Sequence, residues 1–164
     1  GDVSAEVLSV DYESMIREGQ QLASLNPQIV VKVPCTRDGI RSVMFFSRNK
    51  IKTNCTLIFN AGQALLAAKA GATYASPFVG MLDDIASDGV ALVGQIAEMY
   101  DYYGFATQII ASSIRNTQHI ISCMEAGADV ATCPLNTILG LLNHPLTDIG
   151  VEQFVQAAAK MGHK

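Results

Sequence analysis

Lys32 stands in Ile29-Val30-Val31-Lys32-Val33-Pro34, a charged amine inside an apolar, β-branched run. A parallel strand covered on both faces reads as continuous Val and Ile, so an ammonium there must be paired, must snorkel to water, or must be chemically employed. A lysine in such a setting is a candidate nucleophile, and a lysine snorkelling from a strand end is the plainer alternative. Further polar side chains fall inside other short apolar runs. Ser4 and Glu6 share one face of Val3-Ser4-Ala5-Glu6-Val7, Asn54 and Thr56 share one face of Thr53-Asn54-Cys55-Thr56-Leu57, and Ser76 shares a face with Phe78, because side chains alternate along a strand. Thr132 also lies inside a strand-like run.

The elements that must position these groups alternate between β and α. Candidate strands are Val3 to Leu8, Ile29 to Pro34, Thr53 to Phe59, Thr73 to Phe78, Thr107 to Ser112 and Asp129 to Cys133. Helical spacing covers Tyr12 to Leu25, Arg37 to Arg48, Ala61 to Lys69, Gly89 to Tyr103, Thr117 to Glu125, Thr137 to Leu142 and Ile149 to Ala159. Asp11, Thr36, Asn60, Asp88, Asn116 and Asp148 are capping types placed just before apolar-periodic segments, and Gly71, Gly104 and Gly127 follow helix ends. His144-Pro145-Leu146-Thr147-Asp148 reads as a tight connection, with Pro145 stopping one helix and Asp148 capping the next.

This rhythm is that of an α/β protein with a parallel sheet under helical cover. No GxGxxG or Walker loop follows a strand, which removes the usual signature of open nucleotide-binding sheets. Polar residues on one face of several strands fit a closed barrel, where that face converges on a common axis and the site lies at the C-terminal mouth. The expectation is a (β/α)8 TIM barrel as a single domain over residues 1–164, of which this chain supplies only the last six β/α units. A complete barrel needs eight units and about 250 residues.

Of the 164 residues, 49% are hydrophobic and 16% charged, a balance that supports a well-packed domain. The eleven Lys and Arg are scattered under a net charge of -4, which argues against nucleic acid and anionic membrane as partners. Cys35, Cys55, Cys123 and Cys133 form no CxxC pair and no Cys/His ladder, and no secretory signal or spanning apolar stretch is present. Free thiols in a reducing cytoplasm are expected, with buried small-hydrophobe roles for Cys35 and Cys55. His119, His144 and His163 have no partner motif and are left out of the site.

Taken together with Gly71-Ala72-Thr73-Tyr74-Ala75-Ser76-Pro77-Phe78-Val79-Gly80 and Ala111-Ser112-Ser113-Ile114-Arg115, the strand segments above resemble the transaldolase family. They are most similar to its short members, the group that includes fructose-6-phosphate aldolase. The resemblance implies that Lys32 forms a Schiff base. A lysine whose pKa is lowered by its surroundings attacks a ketose carbonyl, and the resulting iminium is the electron sink for carbon-carbon cleavage.

By the same resemblance Glu6 and Thr56 hold a catalytic water, while Asn54 and Ser76 bind the substrate's hydroxyls and carbonyl region. Ser113 and Arg115 form a phosphate site, where a hydroxyl and a guanidinium fork suit the anion. The plainer readings are a structural ion pair for Glu6, a β-former for Thr56, a solvated loop residue for Arg115 and core packing for Phe78.

Phe78 stands where transaldolases carry Phe and fructose-6-phosphate aldolase carries Tyr, so the resemblance favours transfer over simple aldol cleavage. Met81 stands where most members carry a second phosphate-binding arginine. The family's general-base aspartate and a substrate-binding asparagine belong to opening strands expected upstream of this chain. No cofactor or metal is implied, and sugar phosphates are the expected partners. Homo-oligomers, often pentamers paired into decamers, are the family habit, and Ile149, Phe154 and Val155 give the last helix an apolar side for such a contact. The runners-up are a fructose-6-phosphate aldolase that releases free dihydroxyacetone, and a catalytically deficient barrel fragment serving an assembly role.

Overall fold

Parallel pairing requires a crossover between successive strands, and each crossover here is helical. The computed structural model describes residues 1–162; His163, one of the histidines left out of the site, lies outside the described residues. The elements are β1 (Val3–Glu6), α1 (Tyr12–Leu25), β2 (Ile29–Pro34), α2 (Arg37–Arg48), β3 (Thr53–Ile58), α3 (Ala61–Lys69), β4 (Tyr74–Pro77), α4 (Val79–Asp83), α5 (Gly89–Tyr103), β5 (Gln108–Ala111), α6 (Thr117–Glu125), β6 (Val130–Ala131), α7 (Leu135–Gly140) and α8 (Pro145–Lys160). All strand pairs are parallel and the order is β1-β2-β3-β4-β5-β6.

The sheet curls into a half-barrel. The Tyr74 hydroxyl donates to Asp2 Oδ2 at 2.9 Å, joining β4 to the residue before β1. Those strands would lie roughly 14 Å apart in a flat sheet, beyond the reach of one phenol. Asn54 Nδ2 likewise donates to Ser4 Oγ at 3.1 Å, across β2. These two bonds mark the concave face. On the convex face Val31, Val33, Cys55, Ala75, Ile109 and Ala111 pack against the helices, where Val43, Phe46, Ala64, Ala67, Val93 and Ile96 complete the buried core.

Helices α1, α2, α3, α5 and α6 have the bounds that the periodicity predicts, and Asp11, Thr36, Asn60, Asp88 and Asn116 each accept a backbone N–H as their N-cap. Gly71, Gly104 and Gly127 take left-handed φ values of 87°, 64° and 96° just after α3, α5 and α6. β2 has the bounds expected from its sequence, and the other strands are shorter than the apolar runs, most of all β6, which keeps two residues. Short α4 is absent from the sequence reading because it has no side-chain cap and only five residues.

The reading of Pro145 as a helix stop is corrected. His144 is the N-cap of α8, its Nδ1 accepting from Leu146 N–H at 3.2 Å, and Pro145 opens the helix, where its missing N–H costs nothing. Asp148 therefore sits in the first turn of α8 rather than at its cap. Among its described residues α8 buries none, and Leu146, Phe154 and Val155 are exposed. α7 begins two residues earlier than expected, at Leu135.

Gly39, in the first turn of α2, fixes how closely that helix sits on the strand end beyond Lys32: a Cβ there would lie 1.8 Å from the Pro34 carbonyl oxygen. Gly39→Ala is expected to destabilise the fold by about 1–3 kcal/mol, read as a lower urea midpoint, because backbone must move to admit the methyl. An unchanged midpoint would show that the α2–β2 contact is looser than described.

Candidate active site

Register lines up the chemistry. Glu6 opposes Lys32, and Lys32 opposes Asn54, so a carboxylate, an amine and an amide stand in a row across β1, β2 and β3 on the concave face. Lys32 is therefore not sealed in an apolar sheet. It faces a polar concavity, with its side chain 25% exposed and its Nζ 3.0 Å from Glu6 Oε2. A pair this open to water contributes little to stability. Its consequence is positional, since it holds Nζ against a carboxylate able to carry a proton.

Beside this pair the polar chain is tighter. Ser76 Oγ donates to Asn54 Oδ1 at 2.7 Å, and Asn54 Nδ2 donates on to Ser4 Oγ at 3.1 Å. Asn54 and Ser76 are buried, so these bonds fix the amide's orientation and aim both side chains at the concavity. Thr56 opposes Pro34 and lies on the same side as Lys32, two residues beyond Asn54. It is fully buried, and its Oγ1 has no hydrogen-bond partner among the described residues.

β3 breaks register between Cys55 and Ile58, and Leu57 takes a φ of 58°. This bulge lets Phe78 N–H reach the Ile58 carbonyl at 3.0 Å. It also brings the Phe78 ring to 5.8 Å from that of Phe59. Phe78 itself bridges to Ser112, just past the end of β5.

Ser113 and Arg115 follow β5 at the C-terminal rim. Ser113 takes a left-handed φ of 59°, and its carbonyl accepts from Gly80 N–H at 3.1 Å. Gly80 is needed for this approach, because a Cβ there would meet the Ser113 oxygen at 2.2 Å and Arg115 Nε at 2.5 Å. Arg115 Nη2 lies 2.6 Å from Asp84 Oδ2. Its backbone N–H donates to His119 Nδ1 at 3.3 Å, and His119 Nε2 lies 3.1 Å from Asp83 Oδ2. His119 is thus part of the brace under the arginine, a role sequence reading does not detect because its carboxylate partner, Asp83, lies far back in the chain, at the end of α4.

Two cavities meet at Lys32. A cavity of about 440 Å³ lies along the concave face, lined by Asp2, Ser4, Lys32, Asn54, Ser76 and Thr132 among others. A second, of about 520 Å³, opens at the rim and is lined by Lys32, Phe78, Met81, Ser113, Arg115 and Thr132 among others. Lys32, Ser112, Thr132 and Cys133 belong to both. The structure therefore brings all the sequence-derived candidates to one face or its rim, with Lys32 central, Glu6, Asn54 and Ser76 beside it, and Phe78, Ser113 and Arg115 above. Glu6 and Thr56 are placed on the same face without touching one another through protein atoms.

Asp2, Tyr74, Ser112 and Thr132 also face the concavity. Of these only Thr132 stands out in the sequence, as a polar residue in a strand-like run, and only the pairing of strands marks the four as neighbours. Among the described residues no cluster of three or more His, Cys, Asp or Glu gathers as a metal site, and no helix is long and apolar enough to cross a membrane.

The family described as Transaldolase/Fructose-6-phosphate aldolase matches residues 1–164. The chain is 67% identical over 155 residues to a "Probable transaldolase" of Phocaeicola vulgatus, covering 94% of this chain and 71% of the relative. It is 65% identical over 160 residues to a protein of the same name in Bacteroides thetaiotaomicron, covering 98% and 73%. With another in Cytophaga hutchinsonii it shares 59% over 155 residues, covering 94% and 71%. Among solved structures a GMP reductase from Trypanosoma brucei aligns with a TM-score of 0.58 at 17% identity, over 82% of this chain and 33% of that one, a likeness of fold alone.

The loop from β1 to α1 is anchored by Glu18, which accepts from Leu8 N–H, Ser9 N–H and Ser9 Oγ at 3.0, 2.9 and 2.7 Å. The Ser9 hydroxyl first, then the two amides, hold this carboxyl below its ordinary value. A depressed folded-state pKa gives stability that is present above the unfolded value of about 4.3 and lost as pH falls through the folded value. Glu18→Gln is expected to be less stable than the parent at neutral pH, with the gap in urea midpoint closing in acid. An equal gap at both ends of the titration would contradict this anchoring.

Proposed function

We propose that this chain, which belongs to the transaldolase/fructose-6-phosphate aldolase family, carries the Schiff-base centre of a transaldolase. It moves a dihydroxyacetone unit from a ketose phosphate, such as fructose 6-phosphate or sedoheptulose 7-phosphate, to an aldose phosphate. The observation that carries the reading is Lys32 Nζ at 3.0 Å from Glu6 on the concave face, at the junction of the two cavities.

In this reading Lys32 attacks the ketose carbonyl carbon, and Glu6 with Thr56 passes the protons that turn the carbinolamine into an iminium. The orphan Thr56 hydroxyl supports a water relay to the carboxylate. Asn54 and Ser76 hold the substrate's hydroxyls, and Ser113 with Arg115 holds its phosphate at the rim. Cleavage then leaves an enamine on Lys32 that adds to the acceptor aldehyde. Phe78, packed on Phe59, places a ring where a hydroxyl would help water hydrolyse the intermediate, which supports transfer over release of free dihydroxyacetone.

The single domain over residues 1–164 is read as the last six units of an eight-unit barrel, the family's general-base aspartate belonging to units ahead of β1. A place in the pentose phosphate shunt of the cytoplasm and a homo-oligomeric state complete the proposal. The exposed apolar side chains of α8 support the oligomer.

Lys32→Ala is expected to reduce transfer to background, and Glu6→Gln to lower kcat by roughly 10²–10⁴-fold, as loss of a proton-transfer group does. Undiminished transfer by Lys32→Ala would end the Schiff-base reading. Product analysis with fructose 6-phosphate tests Phe78. Turnover is expected to require an added aldose phosphate, and equal release of dihydroxyacetone without one would favour the aldolase instead.

A further inference from the structure

Cys35 and Cys55 meet on the convex side of the sheet, away from Lys32. Val33 opposes Cys55 in register, and Cys35, two residues later, points the same way, its amide donating to the Thr56 carbonyl at 2.8 Å. The register makes the two residues same-face neighbours on adjacent strands, and Cys35 Sγ also donates to the Gln63 carbonyl at 3.8 Å. The neighbouring Cys55 thiol holds the Cys35 thiol below its ordinary value against the opposing effect of burial. Cys55 is pushed far upward by the neighbouring Cys35 and then by burial.

Their access to solvent differs. Cys55 is fully buried, whereas Cys35 is partly exposed in the wall of a cavity of about 640 Å³ between α2 and α3. Arg37, Arg41, Met44, Gln63 and Leu66 share that wall. Cys35 directly precedes Thr36, the N-cap of α2, so its sulfur also lies by the positive end of a twelve-residue helix. A partly exposed sulfur at the start of a helix, backed by a second thiol, is a setting in which a thiolate forms and reacts.

We propose that Cys35 is an oxidation site, at which a hydroperoxide entering the α2–α3 cavity forms a sulfenic acid that Cys55 resolves to a Cys35–Cys55 disulfide. The Cys35 sulfur bonds to one peroxide oxygen as the O–O bond breaks, giving two electrons to the peroxide. With hydrogen peroxide the departing oxygen leaves as water. The Cys55 sulfur then bonds to the Cys35 sulfur, the S–O bond breaks, and the Cys55 proton leaves with the hydroxyl as a second water. Two thiols and one hydrogen peroxide become one disulfide and two waters.

The bond has a consequence for the opposite face. Asn54 and Thr56 flank Cys55, and drawing the two sulfurs to a bond of about 2.0 Å moves β3 against β2 beneath Lys32. Oxidation therefore switches the concave site off. That coupling rests on the Schiff-base reading; the modification itself does not.

The test treats the full protein with hydrogen peroxide and follows intact mass, non-reducing peptide maps and sugar transfer. Loss of two hydrogen atoms is expected, with one linked peptide pair carrying Cys35 and Cys55, loss of transfer, and recovery of mass and transfer in dithiothreitol. Cys35→Ala should show neither the disulfide nor the loss of transfer, and Cys55→Ala should stop at a sulfenic acid that dimedone captures. A gain of oxygen without the disulfide, or a link through Cys123 or Cys133, would overturn the proposal. A correctly linked disulfide with transfer unaffected would overturn the coupling, and inactivity before any peroxide is added would count against the Schiff-base reading alone.

Discussion

A lysine can sit in the middle of a parallel sheet only if one side of that sheet is polar, and curvature makes it so here. The bonds from Tyr74 to Asp2 and from Asn54 to Ser4 span strands that a flat sheet would hold apart. They close the concave face around the row that the register sets, in which Glu6 opposes Lys32 at 3.0 Å from its Nζ. The convex face carries the opposite requirement. Its small and branched residues, Val31, Val33, Cys55 and Ala75, are buried under the helices and leave no room for charge. One strand, β2, satisfies both conditions by alternation, with Val31 and Val33 outward and Lys32 inward between them.

The strand ends then distribute the work. β2, β3 and β4 supply a fixed interior, in which Asn54 and Ser76 hold each other in one orientation. The rim is built from loops, and its arginine is braced from two sides, by Asp84 on the guanidinium and by His119 beneath the backbone. Met81 adds an apolar surface to the same rim, so Arg115 and Lys32 are the cations lining that cavity. The half-barrel thus sets a hydrogen-bonded polar interior beneath a rim built from loops.

Much of this was legible in the residues. Five helices could be bounded from capping types and from the glycines that follow them, because both signals are local. Lys32 was conspicuous for the same reason, a charge against a uniform background. What local signals could not supply was contact. Asp2, Tyr74 and His119 do not stand out locally, and their roles arise from pairing across long stretches of chain, Tyr74 with Asp2 and His119 with Asp83. Pro145 was misread because a proline that ends one helix and one that begins another share the same local chemistry, and only His144 as the cap decides between them. The bulge at Leu57 was equally hidden, since a leucine advertises nothing of a left-handed φ. The burial of Cys35 was overestimated for a related reason: a strand-end thiol looks like core until the gap between α2 and α3 is seen.

The central claim is that the nucleophile is Lys32 and no other amine. Reduction with borohydride in the presence of fructose 6-phosphate, followed by peptide mapping, tests it most directly. The account predicts a single reduced sugar adduct, on the peptide that contains Lys32. A stable adduct on Lys52, Lys69 or any other lysine, with Lys32 unmodified, would contradict it.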